Sequence, residues 1–254
     1  MLTLTPMKIL ASGMTRDRSA PGLALGGPGK KQNMHEHTEE GLPKPKRRRV
    51  PNAERSATTR AKLIEATIKS LYELGYHQTT TVLVAERAGV SRGAMLHQFP
   101  TKADLMMAAA YKIRDMRLER HQEKLGELEK AEDKFLALID VLWEGLLSSS
   151  GVARIELMLS TRSDPDLCDR FEVFNDEIDR NHKKRVWELC EAAGMSSENQ
   201  KQQINAFVQL YAAALRGLAI DALRPASRDG AGDSVELLKR FQAQFFEQIL
   251  KSNG

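Results

Sequence analysis

The stretch from Thr80 to Lys102, TTVLVAERAGVSRGAMLHQFPTK, constrains this chain more than any other. Its punctuation admits two short helices around a tight turn. Val82 to Ala88 reads as the first helix. Gly89 and Val90 make the turn, because Gly accepts the left-handed backbone that ends a helix. Ser91 caps the next helix, its hydroxyl accepting a free first-turn N–H. That helix, Arg92 to Gln98, must stop before Pro100, since the residue preceding a proline is pushed out of the helical region. Two short helices around a glycine turn form a helix-turn-helix unit, whose second helix is shaped to enter the major groove of DNA.

The rest of the chain is also periodic in the helical sense. Leu63, Ile64, Ile68, Leu71, Tyr72 and Leu74 recur at helical spacing from Asn52 onward, and Gly75 ends the run. Thr101 opens a further helix with Asp104 three residues on, a capping box, and the pattern carries to about Arg120. Phe135 to Leu147 and Val152 to Thr161 are two more segments. Asp164 followed by Pro165 starts a long helix ending near Gly194. Ser196 or Ser197 caps another, to about Leu223, and Pro225 to Gly232 reads as a loop. Asp233 with Glu236 opens the last helix. No strand and no internal repeat stands out, so the fold class is all-α. Residues 1–50 are rich in Gly, Pro, Ser and charge without periodicity and read as a disordered basic extension, with Met14 and Met34 as alternative starts.

Charge is segregated along the chain. Residues 1–130 hold 23 basic and 14 acidic side chains, whereas residues 131–254 hold 15 and 20. A basic front and an acidic back point to a nucleic-acid-binding end and an end with another task. Two cysteines are too few for a disulfide framework and suit a reducing cytoplasm. No apolar run approaches a membrane span, and the N-terminus lacks the continuous apolar core of a signal peptide.

Residues 59–111 resemble the DNA-binding domain of TetR-type transcriptional regulators. The matching positions are Thr59-Arg60 and Ile64, Gly75-Tyr76, Thr79-Thr80, Val84-Ala85, Ala88-Gly89-Val90-Ser91, Arg92-Gly93-Ala94, Phe99, Lys102 and Leu105. The resemblance implies an N-terminal helix-turn-helix DNA-binding domain over 51–101 and a helical ligand-binding and dimerisation domain over 102–254. It implies a homodimer on a palindromic double-stranded DNA operator, released when a small effector moves the fourth helix. Two positions depart from the pattern. Leu83 replaces the acidic residue of a capping box, and Leu96 replaces a tyrosine. Leu96 cannot donate to a phosphate but can touch a thymine methyl.

Arg92 and His97 are the candidate base readers. Arg can grip guanine O6 and N7 as a fork, and a phosphate contact is the competing role. Gly93 permits close backbone approach at a cost of about 1 kcal/mol in helix stability relative to Ala. Thr80, Ser91 and Lys102 are expected at phosphates, with Arg60 beside them on the first helix. The run KPKRRRV, Lys44 to Val50, places Arg47, Arg48 and Arg49 in a candidate minor-groove arm. A solvated tail and a nuclear localisation signal are the other readings of that run.

Trp143, Leu147, Met158, Phe171, Phe174 and Trp187 can line an apolar pocket, with Arg154 meeting a polar ligand group; ordinary core is the competing reading. Phe207, Tyr211, Leu215, Phe241, Phe245 and Phe246 suit a dimer seam built from the last two helices, or else monomer core. Cys168 and Cys190, 22 residues apart on one helix, lie about 33 Å apart along its axis and cannot share a metal. Both read as buried small apolar residues. No metal site, cofactor or membrane contact is expected, and no catalytic constellation is visible. The expectation is a cytoplasmic, nucleoid-associated regulator, a repressor whose effector is largely apolar. The alternatives are a constitutive dimeric architectural DNA binder without effector and, third, an enzyme.

Overall fold

The computed structural model describes residues 52–224 and 227–252. Among these it is all-α, with no strand. In order the helices are α1 (Asn52–Gln78), α2 (Thr81–Ala88), α3 (Arg92–Gln98), α4 (Lys102–Gly126) and α5 (Ala131–Leu147). They continue with α6 (Ser149–Ser160), α7 (Pro165–Ala192), α8 (Glu198–Ala222) and α9 (Arg228–Lys251). The N-terminal extension, with Arg47, Arg48 and Arg49, lies outside the described residues.

Signals that act within a single turn placed the helix ends. The Thr80 hydroxyl accepts the Leu83 N–H at 3.2 Å, and the Ser91 hydroxyl accepts that of Ala94 at 3.2 Å. Gly89 closes α2 at φ 64°, and its N–H bonds to the Glu86 carbonyl. Thr101 and Asp104 form the expected capping box, and Ser197 with Gln200 forms a second at α8. Asp164 caps α7 with Pro165 in the first turn. Gly75 breaks α1 at φ 76° and one more turn follows it.

Elsewhere tertiary packing moved the boundaries. α9 starts at Arg228 rather than Asp233, without a side-chain cap on Ser227. Ala231 and Val235, one turn apart, are both buried, and this burial draws the preceding turn into the helix. α4 runs past Arg120 because Leu125 packs on the large core behind it.

Three apolar clusters organise the helices. Leu63, Val84, Met95, Phe99 and Leu105 join α1, α2, α3 and the first turns of α4. Leu71, Tyr76, Met106, Ile113, Leu157 and Phe171 join α1, α4, α6 and α7. Phe135, Ile139, Trp187, Tyr211 and Phe246 join α5, α7, α8 and α9. Each fully buried large apolar side chain contributes about 1.5–3 kcal/mol. α4 contributes side chains to the first two clusters on successive faces, Leu105 and Ala108 to one, Met106, Ala109 and Ile113 to the other. Buried glutamines hold α9 down: Gln200 donates to the Ile249 carbonyl at 2.9 Å, and Gln242 to the Phe135 carbonyl at 2.8 Å.

α5 and α6 meet at a bend of 78°, and no single described helix is long and apolar enough to cross a bilayer. At the bend the Ser148 hydroxyl donates to the Gly145 carbonyl at 2.6 Å and accepts the Gly151 N–H at 3.1 Å. A Cβ on Gly151 would lie 2.1 Å from the Gly145 carbonyl oxygen and 2.5 Å from that of Leu146. Neither backbone atom can yield without opening the corner. Gly151→Ala is therefore expected to cost about 3 kcal/mol, the upper part of the range for overpacking, measured as a fall in the denaturant midpoint.

Candidate functional site

α3 divides cleanly into two faces. Met95 and the following Phe99 point inward and are 1% exposed each. Arg92, Gly93, Leu96 and His97 point outward, joined by Ser91 at the cap. This is the helical spacing of a strip that one groove could receive. Arg92 and His97 make no hydrogen bond or ion pair among the described residues. Leu96 is 44% exposed, an apolar side chain that the protein itself does not cover. A Cβ at Gly93 would meet nothing within 4 Å, so no feature of the protein requires glycine there. Thr80 stands exposed at the N-terminus of α2. Val82 beside it is also exposed, and Leu83 is half-buried.

The strip is braced from behind. The Arg60 guanidinium sits 4.4 Å above the Phe99 ring and donates to the Gln98 carbonyl at 3.4 Å. Gln98 donates to the Ser56 hydroxyl at 2.7 Å. Lys102 turns inward: its ammonium donates to the Tyr76 carbonyl at 3.2 Å and lies 3.8 Å over the Tyr76 ring. Burial lowers the Lys102 pKa, partly offset by the charge of Asp164. To reach a phosphate, Lys102 must leave Tyr76.

Tyr76 is where the two ends of the molecule meet. Its N–H donates to Glu156 on α6 at 3.0 Å, and its hydroxyl hydrogen-bonds the Asp164 carboxylate at the start of α7. Burial, then the Asp164 carboxylate, pushes the phenol well above its ordinary range, so it remains the donor. A carboxylate on each of two elements therefore holds the turn that leads into α2.

The ligand candidates fall in different parts of the bundle. Phe171 and Phe174 lie in the core between α1, α4, α6 and α7, with Met158 packed against it. Trp187 lies in the core behind α5, with Trp143 packed on it. Leu147 is exposed. These six side chains do not converge on one cavity. Of the seven candidates only Arg154 lines the clefts between α4, α6 and α7. Of the dimer candidates, Phe207, Tyr211, Leu215 and Phe246 fill the core of the protomer. Phe245 stacks on Phe207 at 4.6 Å between centroids, and Phe241, 53% exposed, faces outward. Cys190 is fully buried, whereas Cys168 is partly exposed and lies 3.7 Å from a Glu172 oxygen.

What the sequence reading missed are the polar side chains that face Arg154 between helices. Arg117 and His121 on α4, one turn apart, line a cleft with Arg154 of α6. A second cleft shares Arg117 and Arg154 and adds Arg185 of α7. The i, i+4 pair of Arg117 and His121, set beyond Ile113 on one face of an otherwise apolar-periodic helix, was the available signal. Burial, then the guanidiniums of Arg117 and Arg216, pushes Arg154 down to about 9. Burial, then Arg117, Arg185 and Arg120, pushes His121 down to about 4. His182 is lowered as well, by burial, then Arg117, His121 and Arg185, and its Nε2 lies 3.0 Å from the Tyr211 hydroxyl.

A capped two-helix unit with an outward, unpartnered second helix, mounted on a helical bundle, defines a helix-turn-helix protein. The family model for bacterial regulatory proteins of the tetR family matches residues 63–109. The HTH-type transcriptional regulator CymR of Pseudomonas putida is 30% identical over 182 residues, covering 70% of this chain and 85% of CymR. The HTH-type regulator Rv2912c of Mycobacterium tuberculosis is 31% identical over 114 residues, 45% of this chain, and the match spans 58% of that relative's length. Among solved structures, Salmonella enterica GusR superposes with a TM-score of 0.56 at 18% identity, covering 76% of this chain and 95% of GusR. A transcriptional regulator from Rhodococcus sp. Rha1 gives 0.55 at 21%, covering 76% and 96%. The chain belongs to the TetR family of helix-turn-helix transcriptional regulators.

Two expectations follow. Gly93→Ala should stabilise the fold by up to about 1 kcal/mol while weakening DNA binding, measured as denaturation midpoint and duplex affinity on the same preparation. Unchanged affinity would remove the close-approach role. His121 charges more readily in the unfolded chain, near pH 6.5, than in the fold, near 4. Stability is therefore full above about pH 6.5 and is lost as pH falls toward 4. Thermal midpoints of the wild type should drop across that window, and His121→Gln should reduce the drop.

Proposed function

We propose that this chain is a dimeric, ligand-responsive repressor that binds a palindromic DNA operator through α3. The observation that carries this reading is the outward strip of Ser91, Arg92, Gly93, Leu96 and His97, a polar and apolar face for which the fold itself has no use. Arg92 takes a guanine edge and Leu96 a thymine methyl, the pairings that major-groove geometry favours. Ser91 and Thr80 meet phosphates at helix N-termini, where free N–H groups and the helix dipole favour anions. Arg47, Arg48 and Arg49 add a basic arm ahead of α1, and Arg60 supports the strip through Phe99.

The DNA-binding part spans 51–101 and the effector and dimerisation part 102–254. A second copy docks on α8 and α9, where Leu210, Ile220, Leu237 and Phe241 are exposed apolar side chains. Dimerisation sets the spacing of the two α3 helices at one DNA turn, roughly 34–36 Å, or a multiple. An effector that favours a different arrangement of α4 and α6 shifts that spacing through Tyr76 and releases the operator. The protein acts in the cytoplasm, on the nucleoid.

Selection of bound duplexes from a random pool at physiological salt should enrich a palindrome with two half-sites. Uniform, salt-sensitive binding to every sequence would instead identify an architectural DNA binder. On the selected site Arg92→Ala should lose about 1–3 kcal/mol and relax preference at one base pair. Equal weakening on all sequences would assign Arg92 to a phosphate.

A further inference from the structure

The clefts around Arg117 form a continuous series between α4, α6 and α7. Two of them are small, with about 20 and 30 Å³ of room, and share Arg117 and Arg154. A third, about 400 Å³, shares His121 with the first and Leu118 and Arg185 with the second. The small clefts set the Arg117, Arg154 and Arg185 guanidiniums and the His121 imidazole beside Ile113, Val141, Leu142 and Ile178. The large one has Leu118, Leu125, Leu138 and Leu189 in its wall together with Lys134, His182, Arg185 and Glu188. A polar chamber of cationic side chains thus opens into a larger one of the size that takes a small organic molecule.

The polar chamber has an uncompensated charge. The Arg117 guanidinium has no hydrogen-bonding or ion-pairing partner among the described residues. Arg154 donates to the Asn175 side-chain oxygen at 3.0 Å, a neutral partner. The nearby carboxylates are Asp179, felt by Arg117 and Arg154, and Glu188, felt by Arg185. Neither comes within 4.0 Å of those guanidiniums. His121 Nε2 is buried with no hydrogen-bond partner among the described residues. Removing cations from water without a counter-charge is costly, and a buried ring nitrogen without a partner adds to the cost. Burial lowers the pKa of both Arg154 and Arg117, and guanidiniums lower them further, Arg117 and Arg216 at Arg154, Arg185 and Arg216 at Arg117. An anion drawn from solution would offset each of these costs.

We propose that this site binds an organic monocarboxylate with an apolar body. Arg117 and Arg154 grip the carboxylate, and His121 donates to it from Nε2–H. The apolar body fills the leucine-walled chamber. The planar fork of a guanidinium matches the two oxygens of a carboxylate. This assignment names the chemical class of the effector and rests on the effector reading given above. It adds a charged head to the largely apolar effector that the sequence reading expects.

The test uses the full chain with octanoate, phenylacetate and 2-naphthoate, each set against its uncharged amide, by titration calorimetry and thermal shift. At least one acid should bind one per chain and raise the midpoint, with its amide about 10–100-fold weaker, the loss expected for a charge-assisted contact. Arg117→Gln and Arg154→Gln should each weaken the acid by a similar factor while retaining the helical far-UV spectrum, and the exposed Arg180→Gln should not. Gln122→Trp narrows the large cleft from an exposed position and should weaken the acid without touching the charge. No binding by any of the acids, equal binding of acid and amide, or wild-type affinity in both arginine variants would overturn the assignment. Operator affinity measured with and without the acid separates the two readings. An acid that binds through Arg117 yet leaves DNA binding unchanged overturns the effector role alone, whereas operator binding intact with no acid bound overturns the carboxylate site alone.

Discussion

Tyr76 carries the connection on which the rest of this molecule depends. Its backbone and side chain are held by Glu156, Asp164 and Lys102, which lie on α6, at the cap of α7 and at the start of α4. The residue before it, Gly75, interrupts α1 and turns the backbone N–H toward Glu156. A Cβ at Gly75 would come to 3.0 Å from the same Glu156 oxygen. Charge-assisted hydrogen bonds of this kind are about twice as strong as neutral ones, and they specify direction. Three elements of the rear bundle therefore grip one residue at the base of the helix-turn-helix.

That grip gives α4 and α6 their significance. α4 is built into the front core through Leu105 and Ala108 and into the middle core through Met106 and Ile113. Further along, the same helix presents Arg117 and His121 to the clefts. α6 carries Arg154 into those clefts and Glu156 to Tyr76, two residues later and on a different side. Close-packed helices move as rigid elements between discrete arrangements rather than deforming continuously. α4 and α6 thus run from the clefts to the residues that hold the turn before α2.

The polar interior also bears on stability. A cationic cluster whose nearby carboxylates, Asp179 and Glu188, make no ion pair with it is weak evidence for stability and stronger evidence for a site, because each unpaired group raises the free energy of the empty fold. The three apolar clusters and the buried glutamine bonds of α9 offset that cost. The same helices that stabilise the bundle therefore hold the groups that strain it.

The sequence by itself determined what local chemistry decides. Caps at Thr80, Ser91, Thr101, Asp164 and Ser197 start helices because a side-chain oxygen satisfies a free N–H three residues on, and Gly89 ends one because it accepts positive φ. The inward and outward faces of α3 follow from helical period alone. What only the tertiary structure decided depends on packing between distant segments. The extra turn of α9 exists because Ala231 and Val235 find a core. Tyr211 and Phe246, legible only as apolar aromatics, fill the protomer rather than its surface. Arg117, His121 and Arg185 lie on two helices and read separately as ordinary polar residues, whereas Arg154 reads as a polar contact for a ligand. Their meaning arises when the bundle brings them into adjoining clefts and leaves Arg117 and the His121 Nε2 without hydrogen-bonding or ion-pairing partners among the described residues.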